Sequence, residues 1–223
     1  MSEETLKRQI YNRILEDIIN KNFPVDYILK EKELSERFGI SKAPVREALI
    51  ELSTEDIVKS IPRAGYRIVQ LTEKDIFEAT ELRLILELPV LDTITNSADR
   101  ATLHELRTQV EQFNYTKLHS KVPLDTWWND NINFHVSLSA IAGNSLLTST
   151  LETIIRRQWR AIAQLFWSGD PKHYLSFEST THITLIKAIE KKNVSKAREI
   201  LSEDILSIRN MFTYSPKRRI TNL

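Results

Sequence analysis

A short basic segment near the N-terminus carries side chains that could recognise nucleic acid. At the start of a predicted helix, the exposed positions are Ser41, Lys42, Ala43 and Arg46. The guanidinium of Arg46 can donate two parallel hydrogen bonds to guanine O6 and N7, which a lysine cannot do. Ser41 and Lys42 lie beside the positive end of the helix dipole and suit phosphate contacts. The segment therefore predicts a helix that reads bases through Arg46.

Two neighbouring places could add contacts to the same DNA. Lys32 begins the preceding predicted helix and could bind a phosphate, while Arg63 lies beside Gly65 at a predicted turn. That turn is narrow enough to approach a minor groove or a phosphate. On charge alone, an ordinary solvated surface is the better interpretation, because the segment also carries many Glu and Asp residues. The positions of the basic residues are what favour DNA.

Three helices and one hairpin must hold these side chains in place. Helices are predicted over 4–21, over 31–38 and from Ser41, the first because apolar residues recur there every four positions. The pattern then changes to strands at 57–61 and 66–69, on either side of a turn. This order is the layout of a winged helix-turn-helix, which we assign to residues 1–70. A generic small α+β domain is the alternative.

The remainder of the chain, residues 71–223, keeps a helical period almost to its end. Its short connections predict an antiparallel bundle of six helices, so that the whole protein is mainly α. Pro89 is expected to kink or break the first of these helices. The predicted helices cover residues 72–95, 98–117, 124–141, 145–167, 172–191 and 195–213.

Composition excludes several classes of protein. The chain has no Cys, which rules out disulfides and thiolate metal sites, and only 4 Gly and 7 Pro, too few turn residues for an all-β fold. No apolar run approaches the roughly 18–20 residues of a membrane span, and the acidic N-terminus is unlike a secretion signal. We therefore expect a cytoplasmic protein. Gly-rich phosphate loops and the common hydrolase motifs are missing, which argues against an enzyme.

The stretch from Lys32 to Leu49 closely resembles the N-terminal signature of the GntR family of bacterial regulators. Pro62 and Gly65 fall where that family has its wing. Two departures affect the wing: the family usually has Gly at the place of Asp56, and often a basic residue at the place of Ala64, so that Arg63 is displaced by one position. The resemblance implies that this domain binds double-stranded operator DNA.

The rest of the chain resembles the FadR-type C-terminal domain called FCD. The matching segments are 71–75, 81–87, 131–144 and 182–197. The resemblance implies a transcriptional repressor whose helical domain binds a small effector, usually an organic or sugar acid, and then releases DNA. Arg83 matches an arginine of the family and could pair with an effector carboxylate. A salt bridge to a carboxylate of the bundle is the alternative role for Arg83.

The same resemblance implies a divalent metal site. Many FCD domains hold a metal through one Asp and three His, and His135 and His182 occupy histidine positions of the family. Asn131 stands where the family has the aspartate, and Asp204 where it has the last histidine. The implied ligands suit Zn, Mn or Ni, and Asn131 and His135 share a helix face as i and i+4. The alternative is a metal-free cavity lined by polar side chains.

We expect a homodimer, because one helix-turn-helix unit reads too few base pairs for operator specificity. Two other functions remain open from the sequence. One is a metal-dependent enzyme that uses the helical-bundle site, although no nucleophile or further carboxylate accompanies the two histidines. The other is an adaptor that uses the winged fold to bind protein instead of DNA.

Overall fold

The computed structural model describes residues 5–24, 26–119, 124–166 and 178–213. These residues form two compact units. The first contains the described chain up to Thr72 and the end of one long helix from Arg160 onward, and the second contains the rest. In the described part of the chain, nine helices and three short strands are present. A mainly α fold with an N-terminal winged helix-turn-helix and a C-terminal helical domain is thereby confirmed.

The first unit contains three helices and a small sheet. Thr5 caps the first helix by accepting a hydrogen bond from the backbone N–H of Arg8. Gly39 ends the second helix in the left-handed conformation, with φ +67°. Ser41 occupies the N-cap position of the third helix, but its side chain makes no capping hydrogen bond. The elements are α1 (Leu6–Ile19), β1 (Ile28–Leu29), α2 (Glu31–Phe38), α3 (Lys42–Thr54), β2 (Val58–Ile61) and β3 (Gly65–Ile68).

The core of this unit follows from the apolar period of α1 and α3. The face of α1 that carries Ile10 and Ile14 packs in one cluster with Leu49 and Leu52 of α3, and all four side chains are 0–1% exposed. Burying each such side chain contributes about 1.5–3 kcal/mol. This packing leaves the opposite face of α3, with the residues that could contact DNA, in solvent.

The three strands form an antiparallel sheet in the order β1-β3-β2. Leu29 of β1 pairs with Tyr66, and Ile61 of β2 pairs with Gly65. β1 was not expected from the sequence, because two residues are too few to show a strand period. At the turn between β2 and β3, Arg63 adopts a left-handed conformation with φ +63°.

Gly65 is required where β3 passes close to β1. Its φ is +134°, and a Cβ at this position would collide with the carbonyl oxygen of Leu29. We expect Gly65→Ala to destabilise the hairpin by at least about 2 kcal/mol, through backbone strain and overlap together. Hydrogen exchange of the β2 and β3 amides in the full chain measures this as faster local opening.

Gly39→Ala is the matched control for this substitution. Gly39 also has a positive φ, but a Cβ there would meet nothing within 4 Å. Gly39→Ala should therefore cost only the strain of an alanine in the left-handed conformation, about 1 kcal/mol. If the β2 and β3 amides exchange hydrogen equally fast in both variants, the close approach of Gly65 to Leu29 does not determine the stability of the hairpin.

The second unit is built from helices whose limits lie near the predicted ones. Pro89 was expected to kink or break the first helix; it does not break it, because α4 runs from Glu73 to Ser97, and the kink stays a prediction. Val90 and Leu91, which follow Pro89, are buried in the core of this unit. Their packing anchors this part of α4 and offsets the backbone hydrogen bond that proline cannot donate. The start of the predicted helix 172–191 lies outside the described residues. The remaining helices are α5 (Arg100–His119), α6 (Leu124–Ala140), α7 (Ser145–Phe166), α8 (Glu178–Glu190) and α9 (Val194–Thr213).

Within the described ranges, no helix is both long and apolar enough to cross a bilayer.

Candidate functional sites: the start of α3 and a buried histidine cluster

The N-terminal end of α3 is exposed, as a DNA-reading helix requires. Ser41, Lys42, Ala43 and Arg46 are all exposed, whereas Val45 is fully buried. The first turn of α3 therefore presents a polar, basic surface, because the apolar face of the helix is fixed in the core. The guanidinium of Arg46 and the polar side chains of Ser41 and Lys42 therefore lie at the same end of one helix.

Arg46 is held by Glu31, the first residue of α2. Its Nε donates to both carboxylate oxygens of Glu31 at 2.9 and 3.0 Å, and its Nη2 donates to Oε2 at 2.8 Å. The hydrogen bond from Arg46 is the main reason why the pKa of Glu31 is lowered. The Arg46 side chain remains 58% exposed, and exposed ion pairs are worth about 0–1 kcal/mol. Arg46 can therefore exchange Glu31 for a base at little cost.

The other predicted DNA contacts lie in the same unit. The side chain of Lys32 is 72% exposed, and its Nζ lies 3.9 Å from the carboxylate of Glu36. Arg63 is exposed at the turn of the hairpin. Their contacts to DNA stay predictions. The ion pair of Arg46 with Glu31 was missed at the level of sequence, since nothing there links two side chains that are 15 residues apart.

The second unit brings together three of the four predicted metal ligands. His135 on α6, His182 on α8 and Asp204 on α9 are buried, and each offers a ligand atom within 4.8 Å of the others. His135 Nε2 lies 3.2 Å from Asp204 Oδ2, and His182 Nε2 lies 4.0 Å from Asp204 Oδ1. Asn131 lies one turn before His135 on α6 and is 4% exposed. Phe134 stacks on the ring of His182 and fixes its plane.

Several polar atoms of this cluster are buried without a hydrogen bond. Among the described residues, Nε2 of His135, Nε2 of His182 and Oδ1 of Asn131 have no hydrogen-bond partner. Each such atom costs about 1–3 kcal/mol, which a cation bound between them would offset. Two imidazole nitrogens, one carboxylate and one amide oxygen form a donor set that divalent Zn, Mn or Ni accepts. The residues present therefore fit the implied metal.

Protonation in the cluster depends on burial and on neighbouring charges. Burial lowers the pKa of His182 to about 3, so its ring is neutral. Burial opposes an ionised Asp204, but its contact with His135 and the charge of Arg83 lower the pKa of this carboxyl nevertheless. Burial also opposes a charged His135, yet the pKa of this imidazole is raised because Glu87 lies beside it. A neutral His182 and an ionised Asp204 are the forms that ligate metals.

Arg83 lies in the same buried region, and two of its three guanidinium nitrogens donate hydrogen bonds. Its Nε donates to Glu87 at 2.7 Å and its Nη1 donates to Gln158 at 3.1 Å. Its Nη2 has no hydrogen-bond partner in the part of the chain that the structure describes. The salt bridge considered from the sequence is thus present, and a further acceptor could still pair with Nη2. An adjacent cavity, lined partly by Glu87, His135 and Ser139, has space for about one water molecule.

Two family models match the chain. The model described as bacterial regulatory proteins of the gntR family matches residues 6–68. The model described as the FCD domain matches residues 78–206, which is more than half of the chain. The two matches follow the division between the winged elements and the helices of the second unit.

Individual relatives agree with these models. YdhC of Bacillus subtilis, an uncharacterized HTH-type transcriptional regulator, is 27% identical, over 86% of this chain and 84% of the relative. The HTH-type transcriptional repressor RspR of Escherichia coli is 22% identical, over 92% and 88%. The solved structure of E. coli McbR/YncC is similar in fold, with a TM-score of 0.70 at 19% identity, covering 95% of this chain and 99% of that one.

A metal-dependent enzyme and a protein-binding adaptor were the alternatives to a regulator. The gntR model describes bacterial regulatory proteins, and YdhC and RspR are named as HTH-type regulators of transcription. The expectation that the chain is not an enzyme is therefore confirmed. The protein belongs to the GntR family of bacterial transcriptional regulators, in the group that carries an FCD domain.

Proposed function

We propose that the protein is a homodimeric repressor that releases its operator when a small organic or sugar acid binds in the second unit. The observation that carries this proposal is the buried set of unpaired polar atoms. Nε2 of His135, Nε2 of His182 and Nη2 of Arg83 all lack hydrogen-bond partners among the described residues. Buried polar atoms without partners are rare in proteins unless a ligand completes them.

In this proposal, a divalent metal is held by His135, His182 and Asp204, with the amide oxygen of Asn131 as a fourth donor. When bound, the metal supplies a positive centre that a carboxylate of the effector can ligate. Arg83 supplies the second anchor, because Nη2 can donate to the same carboxylate. The region contains the carboxylates of Glu87 and Asp204 and one guanidinium. A divalent ion would therefore leave it positive and selective for anions.

On DNA, the proposed contacts divide into two kinds. Arg46 reads a base in the major groove, whereas Lys32, Ser41 and Lys42 contact phosphates and fix the register of the helix. Ala43 is small enough to let α3 approach the groove. Arg63 and Gly65 form the tip of the wing beside the duplex.

Two copies of the chain are needed for this reading to be specific. Half-sites on DNA lie about one helical turn apart, so a shift of a few ångström between two recognition helices prevents simultaneous docking. The effector has to bind one geometry of the dimer more tightly than the other, since equal affinity for both shifts no equilibrium.

Titration of the protein on a labelled fragment of its own promoter with a panel of organic and sugar acids tests the effector class. We expect at least one acid to lower DNA affinity about 5- to 150-fold, the usual range of allosteric coupling. Arg83→Met should remove the response, because the second anchor is lost. Arg107→Met is the matched control, since Arg107 also pairs with carboxylates but lies at the surface of α5.

Two results would contradict the proposal. An acid that tightens DNA binding would reverse the sign of regulation, and a response that persists in Arg83→Met would remove Arg83 from the effector site.

A further inference from the structure

Glu87 lies at the centre of the buried polar region, although the sequence analysis gave it no role beyond ending the FCD-like segment 81–87. Its side chain projects from α4 and is 4% exposed. Oε1 accepts a hydrogen bond from Arg83 Nε at 2.7 Å, and Oε2 lies 2.7 Å from Nδ1 of His135. Both carboxylate oxygens are thus engaged, one by the proposed anion-binding arginine and one by a proposed metal ligand.

The contact with His135 determines which nitrogen of the ring carries a proton. An ionised carboxylate can only accept hydrogen bonds, so a contact of 2.7 Å requires a hydrogen on Nδ1. In the neutral ring, Nε2 then carries the lone pair. Nε2 lies 3.2 Å from Asp204 Oδ2 and has no hydrogen-bond partner among the residues the structure describes.

We propose that Glu87 is a positioning residue for the metal: it holds His135 in the Nδ1–H form and turns Nε2 toward the ion. The inference rests on the proposed metal site and adds a residue to it. Glu87 does not ligate the ion. It fixes the tautomer and the plane of a ligand, and the loss of such partners typically costs about 10- to 100-fold in metal affinity.

A merely structural role is the competing explanation, in which Glu87 only neutralises the buried charge of Arg83. The two roles differ in what an isosteric amide does. In Glu87→Gln a single oxygen must serve two donors, Arg83 Nε and His135 Nδ1. If the oxygen stays with Arg83, the amide NH₂ faces Nδ1, and this favours the Nε2–H form. That form blocks the nitrogen that the metal needs.

The experiment measures zinc affinity and the His135 tautomer in the full-length protein. Isothermal titration with Zn²⁺ alone should give an affinity about 10- to 100-fold weaker for Glu87→Gln than for wild type. Nitrogen-15 NMR of the metal-free proteins should show Nδ1–H for His135 in wild type and a shift toward Nε2–H in the variant. Glu190→Gln is the matched control, because Glu190 also pairs with an arginine, Arg107, but outside the cluster.

Each outcome decides a different point. Equal zinc affinity in wild type and Glu87→Gln overturns the role of Glu87 and leaves the metal site intact. Weaker affinity with an unchanged tautomer assigns the loss to charge and also overturns positioning. If wild type binds no zinc, the metal site fails and this role with it. If the variant does not fold, the wild-type spectrum still decides, since a His135 ring without a hydrogen on Nδ1 would contradict the proposal.

Discussion

An Arg46→Ala variant is expected to bind the operator about 5- to 150-fold more weakly than wild type, because a bidentate arginine–guanine contact contributes about 1–3 kcal/mol. The structure supplies a further reason for a large effect. Glu31 holds the guanidinium through Nε and Nη2. This ion pair is exposed and weak, so the guanidinium can exchange Glu31 for a base at little cost. Fluorescence anisotropy on a fragment of the protein's own promoter, at one fixed salt concentration, measures the change.

Two controls separate base reading from simple charge. Arg46→Lys keeps the charge but not the planar fork, so it should restore the salt dependence of binding without restoring base preference. Arg8→Ala removes another exposed arginine of the same unit, one that pairs with Glu51, and should change affinity little. Unchanged operator binding by Arg46→Ala would instead remove this residue from the interface and reopen the adaptor interpretation.

A double variant, His135→Ala with His182→Ala, is expected to lose its bound metal completely. The wild-type protein should contain about one divalent ion per chain, as a site with four donors from one chain implies. The double variant keeps only Asp204 and the weak amide donor Asn131, too few ligands to compete with water. Metal analysis of purified protein, before and after resupply of Zn, Mn or Ni, measures the content.

The control for this variant is His104→Ala, since His104 is exposed on α5. Its metal content should equal that of wild type. A wild-type protein that stays free of metal after resupply would contradict the metal site. The histidines and Arg83 would then line a polar cavity that binds the effector directly.

For the first unit, sequence reasoning located most of the architecture. The four-residue period of Ile10, Ile14 and Ile18 identified α1, and Ser41 marked the start of α3 within one residue. These features are local, so a single sequence contains them. The pairing of β1 with β3 and the ion pair of Arg46 with Glu31 depend on tertiary contact, which local patterns do not record.

For the second unit, the resemblance to FCD domains supplied His135, His182 and Asp204, and the structure brings them within reach of one ion. The role of Glu87 could not be predicted from the sequence, because its partner His135 is 48 residues away. A carboxylate within a helical stretch is usually a surface residue, and only the fold turns this one inward. Pro89 does not break α4, since the buried residues that follow it, Val90 and Leu91, pack in the core.

The burial of Arg83, Glu87, His135 and Asp204 also has an evolutionary consequence. Replacing buried ionic groups with well-packed apolar side chains is often neutral or stabilising. Selection for heat tolerance alone would therefore favour leucine or methionine at these positions. If the proposed function is right, such a lineage would keep α3 and its affinity for the operator but would lose the response to the effector, and its target genes would stay repressed. In the proposed mechanism, the stability that these four buried side chains cost is what allows the protein to respond to an effector.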